Sequence, residues 1–176
     1  FSHITNNNVK AMFWGTLFAF FLITLTLIIS LRSLKYGLIS LLPNIFPAGA
    51  ALGIWTLWVG EAGFALSVVF SVALGIVVDD TVHFLSKYVR AKREKGLNAI
   101  EAINDSFANV GSALVATTVI LIAGFSVMMM STFKMNFILG ILSVMTIAIA
   151  LAVDFTFLPA LLITIDGNKK ELKNEI

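Results

Sequence analysis

The sequence predicts an all-α membrane protein with five transmembrane helices and one short amphipathic helix on the cytoplasmic surface. Hydrophobic residues make up 59% of the chain and charged residues 12%, whereas charged residues are about a quarter of a typical soluble domain. Five apolar stretches each reach the roughly 20 residues that a helix needs to cross a bilayer. None of them alternates apolar and polar residues over about ten positions, which is the pattern of membrane β-strands.

The five apolar stretches cover residues 11–31, 36–59, 64–88, 110–130 and 137–162. Backbone groups in lipid must hydrogen-bond within their own segment, so apolar runs of this length are expected to be helices. Glycines let neighbouring helices approach closely, and prolines in membrane helices are tolerated where the surrounding structure satisfies the freed backbone groups. The positions expected to serve helix packing are Gly75, Gly111, Gly124, Pro43, Pro47 and Pro159.

The connection between the third and fourth spans is longer than the others. Leu97, Ile100, Ile103 and Phe107 follow one another there at spacings of three and four residues, which places them on one face of a helix. A basic segment precedes them. This pattern predicts an amphipathic helix over residues 92–107 that lies at the membrane surface.

Positive charges are distributed unevenly between the two ends of the predicted spans. Of the 12 Lys and Arg residues, only Lys10 and Lys134 fall on one side of the membrane. Basic residues mark the cytoplasmic side, so the C-terminus is expected to be cytoplasmic. Residues 1–10 are then expected to lie on the external side, and residues 166–176 to form a cytoplasmic tail. The formal net charge of +2 gives no indication of a nucleic-acid partner.

Two adjacent acidic residues, Asp79 and Asp80, lie inside the third apolar stretch. An ionised Asp at the centre of a membrane helix costs roughly 2.5–3.5 kcal/mol on insertion scales. Two adjacent Asp residues in a membrane span therefore indicate a functional role. Neighbouring carboxyl groups held away from water titrate as a coupled pair. A proton-coupled protein needs a site that binds and releases a proton near neutral pH. The Asp79-Asp80 pair therefore predicts a proton-coupled function. The alternative is that both lie nearer the interface, capping the helix or pairing with Lys87.

His83 is the third candidate in this segment. Gly75, Asp79 and His83 are spaced by four residues and therefore share one face of the helix. An imidazole on that face can hydrogen-bond Asp79 or pass its proton toward the cytoplasm. Because His83 lies within one turn of Lys87, the alternative is that it only faces lipid headgroups.

Further polar residues lie in the last two spans. Asp154 is placed at a depth similar to that of Asp79 and is a candidate for proton transfer; the alternative is a hydrogen bond to a neighbouring helix. Thr117 and Thr118 are candidates for a relay. Hydroxyl groups in such helices usually bond their own backbone or pack between helices, which is the alternative for both.

The sequence contains no enzyme signature of the HExxH, G-x-S-x-G or Walker type. We therefore expect no enzymatic activity and no cofactor or metal, with protons as the coupling ion. It also contains no cysteine, which excludes a disulfide framework and a thiolate metal site. Without an ATP site, transport has to draw on an ion gradient, which provides about 2.3 kcal/mol per charge and 100 mV.

Four segments, taken in order, resemble the resistance-nodulation-division (RND) superfamily. ALGIVVDDTVHFLSKYVR resembles its G-x-x-x-D helix, and the His and basic residues are most similar to its MMPL and sterol-sensing-domain branches. EAINDSFANVGSALVATTVILIAGF resembles the surface helix and the span that follows it. LLPNIFPAG and LAVDFTFLPALL resemble the second helix after the large external domain and the terminal helix.

This resemblance implies a twelve-helix transporter made of two repeats, each with a large external domain after its first helix. The present chain would be the last five helices, and residues 1–10 would be the end of a truncated external domain. Family members mostly export lipids, hopanoids, siderophores or drugs with the proton gradient, so the implied function is export of lipids or other hydrophobic molecules across a bacterial inner membrane. By analogy, Asp79 and Asp80 are the proton-carrying positions, although many MMPL members have Asp-Tyr there. The implied partners are membrane lipids, a hydrophobic substrate and the N-terminal half of the same protein; a homo-oligomer is left open.

Two alternatives belong to the same superfamily. One is a non-transporting sterol- or lipid-sensing module, which is disfavoured because Asp79 and Asp80 are present. The other is an accessory protein of translocation, similar to SecD and SecF, whose pattern after the helical Asp fits the segment Thr81–Phe84 poorly. An unrelated channel or structural membrane protein is a further alternative, which the order of the four segments disfavours.

Overall fold

The computed structural model describes residues 2–59 and 64–174, and these residues form helices connected by short turns. The helices are α1 (Ser2–Leu31), α2 (Leu34–Ile39), α3 (Leu41–Val59), α4 (Phe64–Glu94), α5 (Ala99–Ser106), α6 (Ser112–Met128) and α7 (Lys134–Asn174), with a π-helical turn, Phe107–Gly111, between α5 and α6. No strand occurs within the described ranges. The predicted all-α class is therefore confirmed.

Three helical stretches among the described residues are long and apolar enough to cross a membrane. They are Leu34–Trp58, Ala99–Met128 and Lys134–Gly167, and Leu17–Leu31 is a shorter apolar helix. Large apolar side chains remain uncovered on the outside of the bundle, for example Leu57 at 90% and Met130 at 84% exposure. Such a surface is unfavourable in water and suits contact with lipid chains.

The second predicted span is divided into α2 and α3 by a turn at Ser40. Pro43 lies in the first turn of α3, where its missing N–H leaves no hydrogen bond unmade. Pro47 lies inside α3 and cannot donate to the carbonyl group four residues earlier. The two prolines flank Asn44, so α3 lacks a regular backbone hydrogen bond close to this buried amide.

Helix α7 is the central element of the bundle, since α3, α4, α5 and α6 all pack against it. The core between α4 and α7 contains Phe84, Leu85, Leu158 and Leu162, each completely buried. Helix α1 packs against α2 and α4 instead. Both α4 and α7 are therefore held on several sides, and polar residues on their inner faces meet other protein groups rather than lipid.

The predicted surface helix is shorter than residues 92–107. Helix α4 continues through Glu94, and Gly96 then adopts a φ of +65°, a left-handed conformation that commonly terminates helices. Helix α5 starts afresh with a capping box in which Asn98 and Glu101 each bond the other's backbone N–H. Of the predicted apolar face, Ile103 is buried, whereas Ile100 is 58% exposed.

The chain remains helical where the sequence analysis expected a tail to begin. Helix α7 extends to Asn174, and Asp166, the first residue of that expected tail, is only 8% exposed. Its carboxylate is held by side chains from two other helices, and this anchorage explains why the helix does not end near Ile165.

The contact between α6 and α7 depends on Gly140. A Cβ atom at this position would lie 2.9 Å from the Phe125 carbonyl oxygen and 3.0 Å from the Met129 nitrogen. Both are backbone atoms, so the helices would have to separate.

We expect Gly140→Ala to destabilise the protein by about 1–3 kcal/mol, the usual cost of overpacking, seen as a lower apparent melting temperature in detergent. Gly124→Ala is the control, because no atom lies within 4 Å of its Cβ position and Ala favours the helix. Equal melting temperatures for the two variants would contradict the close packing at Gly140.

Candidate functional site

Successive residues of α4 face different neighbours at the level of the acidic pair. Val78 and Val82 line a groove against α1. Thr81 is completely buried and points toward α3 and α7. Asp80 is partly buried and interacts with Thr117 of α6. A single turn of α4 thus presents polar groups to three other helices.

The outward face of α4 carries Gly75, Asp79 and His83, and all three are exposed. His83 Nε2 lies 3.6 Å from Asp79 Oδ1, and the two side chains are 63% and 76% exposed. No atom lies within 4 Å of the Cβ position of Gly75. Asp79 and His83 are thus close enough for the predicted pairing. Because this face of α4 is exposed, another helix has room to pack against it.

Asp154 of α7 is the most buried of the acidic residues in the predicted spans that the structure describes, with 1% exposure. Thr81 Oγ1 lies 3.1 Å from Asp154 Oδ1 and 2.8 Å from Asn44 Oδ1. The three residues come from α7, α4 and α3, and we call them the central triad. The hydrogen bond between Asp154 and Thr81 of the neighbouring α4 is the arrangement that the sequence analysis held as the alternative to proton transfer.

The hydrogen bonds of the central triad are incomplete. Asp154 Oδ2 and Asn44 Nδ2 are buried without a hydrogen-bond partner in the described part of the chain. The titratable group whose charge acts on Asp154 is Asp80, another acid. A buried carboxylate without a cation and with an unpaired oxygen is energetically costly, so this arrangement is sensitive to the presence of a proton.

The two threonines predicted as relay residues lie in different environments. Thr117 is exposed, and its hydroxyl donates to the carbonyl groups of Ala113 and Leu114 in its own helix, although it also interacts with Asp80. Thr118 is 1% exposed, and its hydroxyl has no partner among the described residues. The structure therefore brings Thr117, rather than Thr118, to the acidic pair.

The remaining predicted packing residues are distributed along the bundle. The Cβ position of Gly111 is approached only by Phe107, and that of Gly124 by no atom within 4 Å. Pro159 lies inside α7. Their role in packing stays a prediction, as does the closeness of Gly75 to another helix.

An aromatic stack lies one turn from the central triad. The ring of Phe107, in the π-helical turn, is 4.7 Å from that of Phe84 and 5.0 Å from that of Phe155 between centroids. These distances are typical of favourable ring contacts. The stack joins α4, the π-helical turn and α7 immediately beside Asp154.

A second polar cluster is built around Asp166. Its carboxylate accepts hydrogen bonds from Tyr36 at 2.6 Å and from Tyr88 and Lys92 at 2.8 Å, and it also pairs with Lys35. These five residues, the Asp166 cluster, join α2, α4 and α7. Nearby, Arg93 donates to the carbonyl groups of Leu31 and Arg32 at the end of α1. Basic side chains thus gather at one end of the bundle.

The comparison with known proteins identifies the family of the chain. The profile of the MMPL family matches residues 2–174, nearly the whole chain. The chain belongs to the MMPL family. The resemblance derived from the four sequence segments is therefore confirmed.

A relative of this MMPL chain is known in Methanocaldococcus jannaschii, where it carries the name membrane protein MJ1562. The two sequences are 28% identical over 144 residues, which cover 80% of the present chain and 36% of the relative. The chain thus spans about a third of the relative's length. The name supports a membrane location for this chain and carries no statement about a substrate.

Three residues of the MMPL chain that the structure makes prominent were not singled out from the sequence. Asn44 and Thr81 complete the central triad, and Asp166 organises the second cluster. An amide between two prolines and a hydroxyl next to an acidic pair are detectable signals, because polar groups within membrane helices need partners. For Asp166 the neighbouring Gly167-Asn168-Lys169 favoured a solvated tail instead.

Proposed function

We propose that the protein takes part in export of lipids or other hydrophobic molecules across a bacterial inner membrane, driven by the proton-motive force. The observation that carries this proposal is the position of Asp79 and Asp80 near the middle of α4, with Asp79 on its open face and Asp80 partly buried, in a chain of the MMPL family. Carboxyl groups inside a membrane bundle are expensive and mark ion pathways by default. No enzymatic activity and no bound cofactor are proposed.

The proposal includes five spans. Helices α1 and α4 supply the first and third, α2 with α3 the second, α6 the fourth and α7 the fifth. The Asp166 cluster, together with Arg93, then lies at the cytoplasmic end, in agreement with the tendency of basic residues to remain on that side. The C-terminal end of α7 is cytoplasmic in this arrangement.

The exposed face with Asp79 and His83 fits the proposal because charged groups cannot remain in contact with lipid chains at low cost. A second helical block of the same protein, or water within the transporter, would cover them. Protonation of Asp79 removes a charge from that face, which changes how closely the two blocks can pack. A conformational cycle coupled to proton entry and release follows from this change.

A sensing module without transport is the second candidate. The apolar surface and the resemblance to sterol-sensing domains are expected of a sensing module as well as of an exporter. The two candidates differ in whether protonation of the acidic pair drives lipid movement. A sensor binds lipid without a requirement for a proton gradient, whereas an exporter moves lipid only while the gradient lasts.

Reconstitution of the full-length protein into vesicles separates the two. We expect a fluorescent phospholipid to move between the leaflets when a pH gradient is imposed and to stop moving when a protonophore collapses it. Vesicles without protein provide the background rate. Lipid movement that is unchanged by the protonophore, or lipid binding without movement, would contradict proton-driven export.

A further inference from the structure

We propose that Asp154 is a second proton-binding residue, and that its protonation reverses the direction of a hydrogen-bond chain through Thr81 to Asn44. This inference rests on the proposed proton-driven function and adds a site within α3, α4 and α7. It starts from the distances in the central triad, 3.1 Å from Asp154 Oδ1 to Thr81 Oγ1 and 2.8 Å from Thr81 Oγ1 to Asn44 Oδ1.

The hydroxyl group of Thr81 has one hydrogen to donate. Both of its neighbours, Asp154 Oδ1 and Asn44 Oδ1, are acceptors when Asp154 is ionised, so one of the two contacts would then have no hydrogen between its oxygens. A proton on Asp154 Oδ1 resolves this conflict. Asp154 then donates to Thr81, and Thr81 donates to Asn44, so that every contact in the chain has one donor and one acceptor.

The unpaired atoms agree with a neutral Asp154. Its Oδ2 atom is buried and has no partner within the described residues, and an unpaired carbonyl oxygen is less costly than an unpaired anionic oxygen. Helix α3 presents the neutral amide of Asn44 at this point, and α6 contains no titratable side chain. From α4, Asp80 acts on Asp154 with a like charge.

Loss of the proton reverses the chain. Thr81 then donates to the Asp154 carboxylate, and the Asn44 amide has to turn over so that Nδ2, unpaired in the neutral arrangement, donates to Thr81. The chain from Asp154 through Thr81 to Asn44 therefore has two patterns in which each contact has one donor and one acceptor, and they differ by one proton and by the orientation of one amide.

Infrared spectroscopy of the full-length protein in lipid vesicles tests this site. We expect the carbonyl stretching band of a protonated carboxylic acid that disappears as the pH is raised. The band should be absent in Asp154→Asn and retained in the double variant Asp79→Asn, Asp80→Asn. If Asp154→Asn does not accumulate, Asp154→Glu provides the assignment, because the carbonyl band of Glu lies at a different wavenumber.

The role of Thr81 is tested with two substitutions. In Thr81→Val the carboxylic acid loses its acceptor, so its carbonyl band should move to higher wavenumber, where acids without a hydrogen bond absorb. Thr81→Ser restores the hydroxyl and should return the band to its original position. A merely structural role of Thr81 would leave the wavenumber unchanged in both variants.

Each outcome separates this inference from the proposed function. If the unsubstituted protein and the Asp154→Asn variant give the same spectrum at every pH, the inference is overturned, even if export depends on the proton gradient. Conversely, the band can be assigned to Asp154 while export proves independent of the gradient, in which case the proposed function fails and the proton site stands.

Discussion

Replacing Asp79 and Asp80 together by Asn is expected to reduce proton-driven export to the rate of vesicles without protein. The two carboxyl groups lie side by side on α4, one on the open face and one against Thr117. Asn has nearly the same shape as Asp but cannot bind or release a proton, so the substitution removes the coupling step with little change in packing. The measurement is transport of a fluorescent lipid by the full-length protein under an imposed pH gradient.

The two single variants show which carboxyl group matters more. If protonation alters the contact with a second helical block, Asp79→Asn should have the larger effect, because its side chain is 76% exposed on that face. Glu94→Gln is the matched control, since Glu94 pairs with Arg90 on the exposed surface of the same helix and exposed pairs contribute little. Full export by the double variant would remove Asp79 and Asp80 from the coupling mechanism.

Replacing Asp166 by Asn is expected to destabilise the protein by weakening the contacts between α2, α4 and α7. Two lysines and two tyrosines share this carboxylate, and its side chain is only 3% exposed. Breaking a fully buried ion pair costs about 3–5 kcal/mol because the remaining charge loses its partner. Lys35 and Lys92 are 36% and 25% exposed, so water compensates in part and we expect about 2–3 kcal/mol.

The measurement is the apparent melting temperature of the full-length protein in detergent. Asp105→Asn is the control, because Asp105 pairs with the 54% exposed Lys95 at the same end of the bundle and its loss should be worth less than about 1 kcal/mol. A melting temperature of Asp166→Asn equal to that of this control would show that the Asp166 cluster does not hold α2, α4 and α7 together.

The helical class, the membrane location and the family could be predicted because they depend on properties that the sequence carries locally. Span length and continuous apolar character need no tertiary information. The end of α4 and the start of α5 were harder, since they depend on a left-handed Gly96 and on reciprocal bonds between Asn98 and Glu101. Both are short-range signals that the apolar periodicity obscured.

The central triad could be predicted only in part. The depth of Asp154 followed from counting residues along its helix, and the structure places it level with Thr81. Which hydroxyl it meets could not be derived, because that depends on the rotation of α7 against α4 and on the packing of α3 against both. The same applies to Asp166, whose partners lie 74 to 131 residues away along the chain.

The apolar core that separates Asp154 from Asp166 restricts the movement of hydrogen ions along the inside of the bundle. The two carboxyl groups are twelve residues apart on α7, about 18 Å along a helix, and Phe84, Leu158 and Leu162 between them are completely buried. This apolar layer separates the two carboxyl groups by more than half the thickness of a bilayer core. The direct path between α4 and α7, from Asp154 to the basic end of the bundle, is therefore closed to water and to hydrogen ions in this structure.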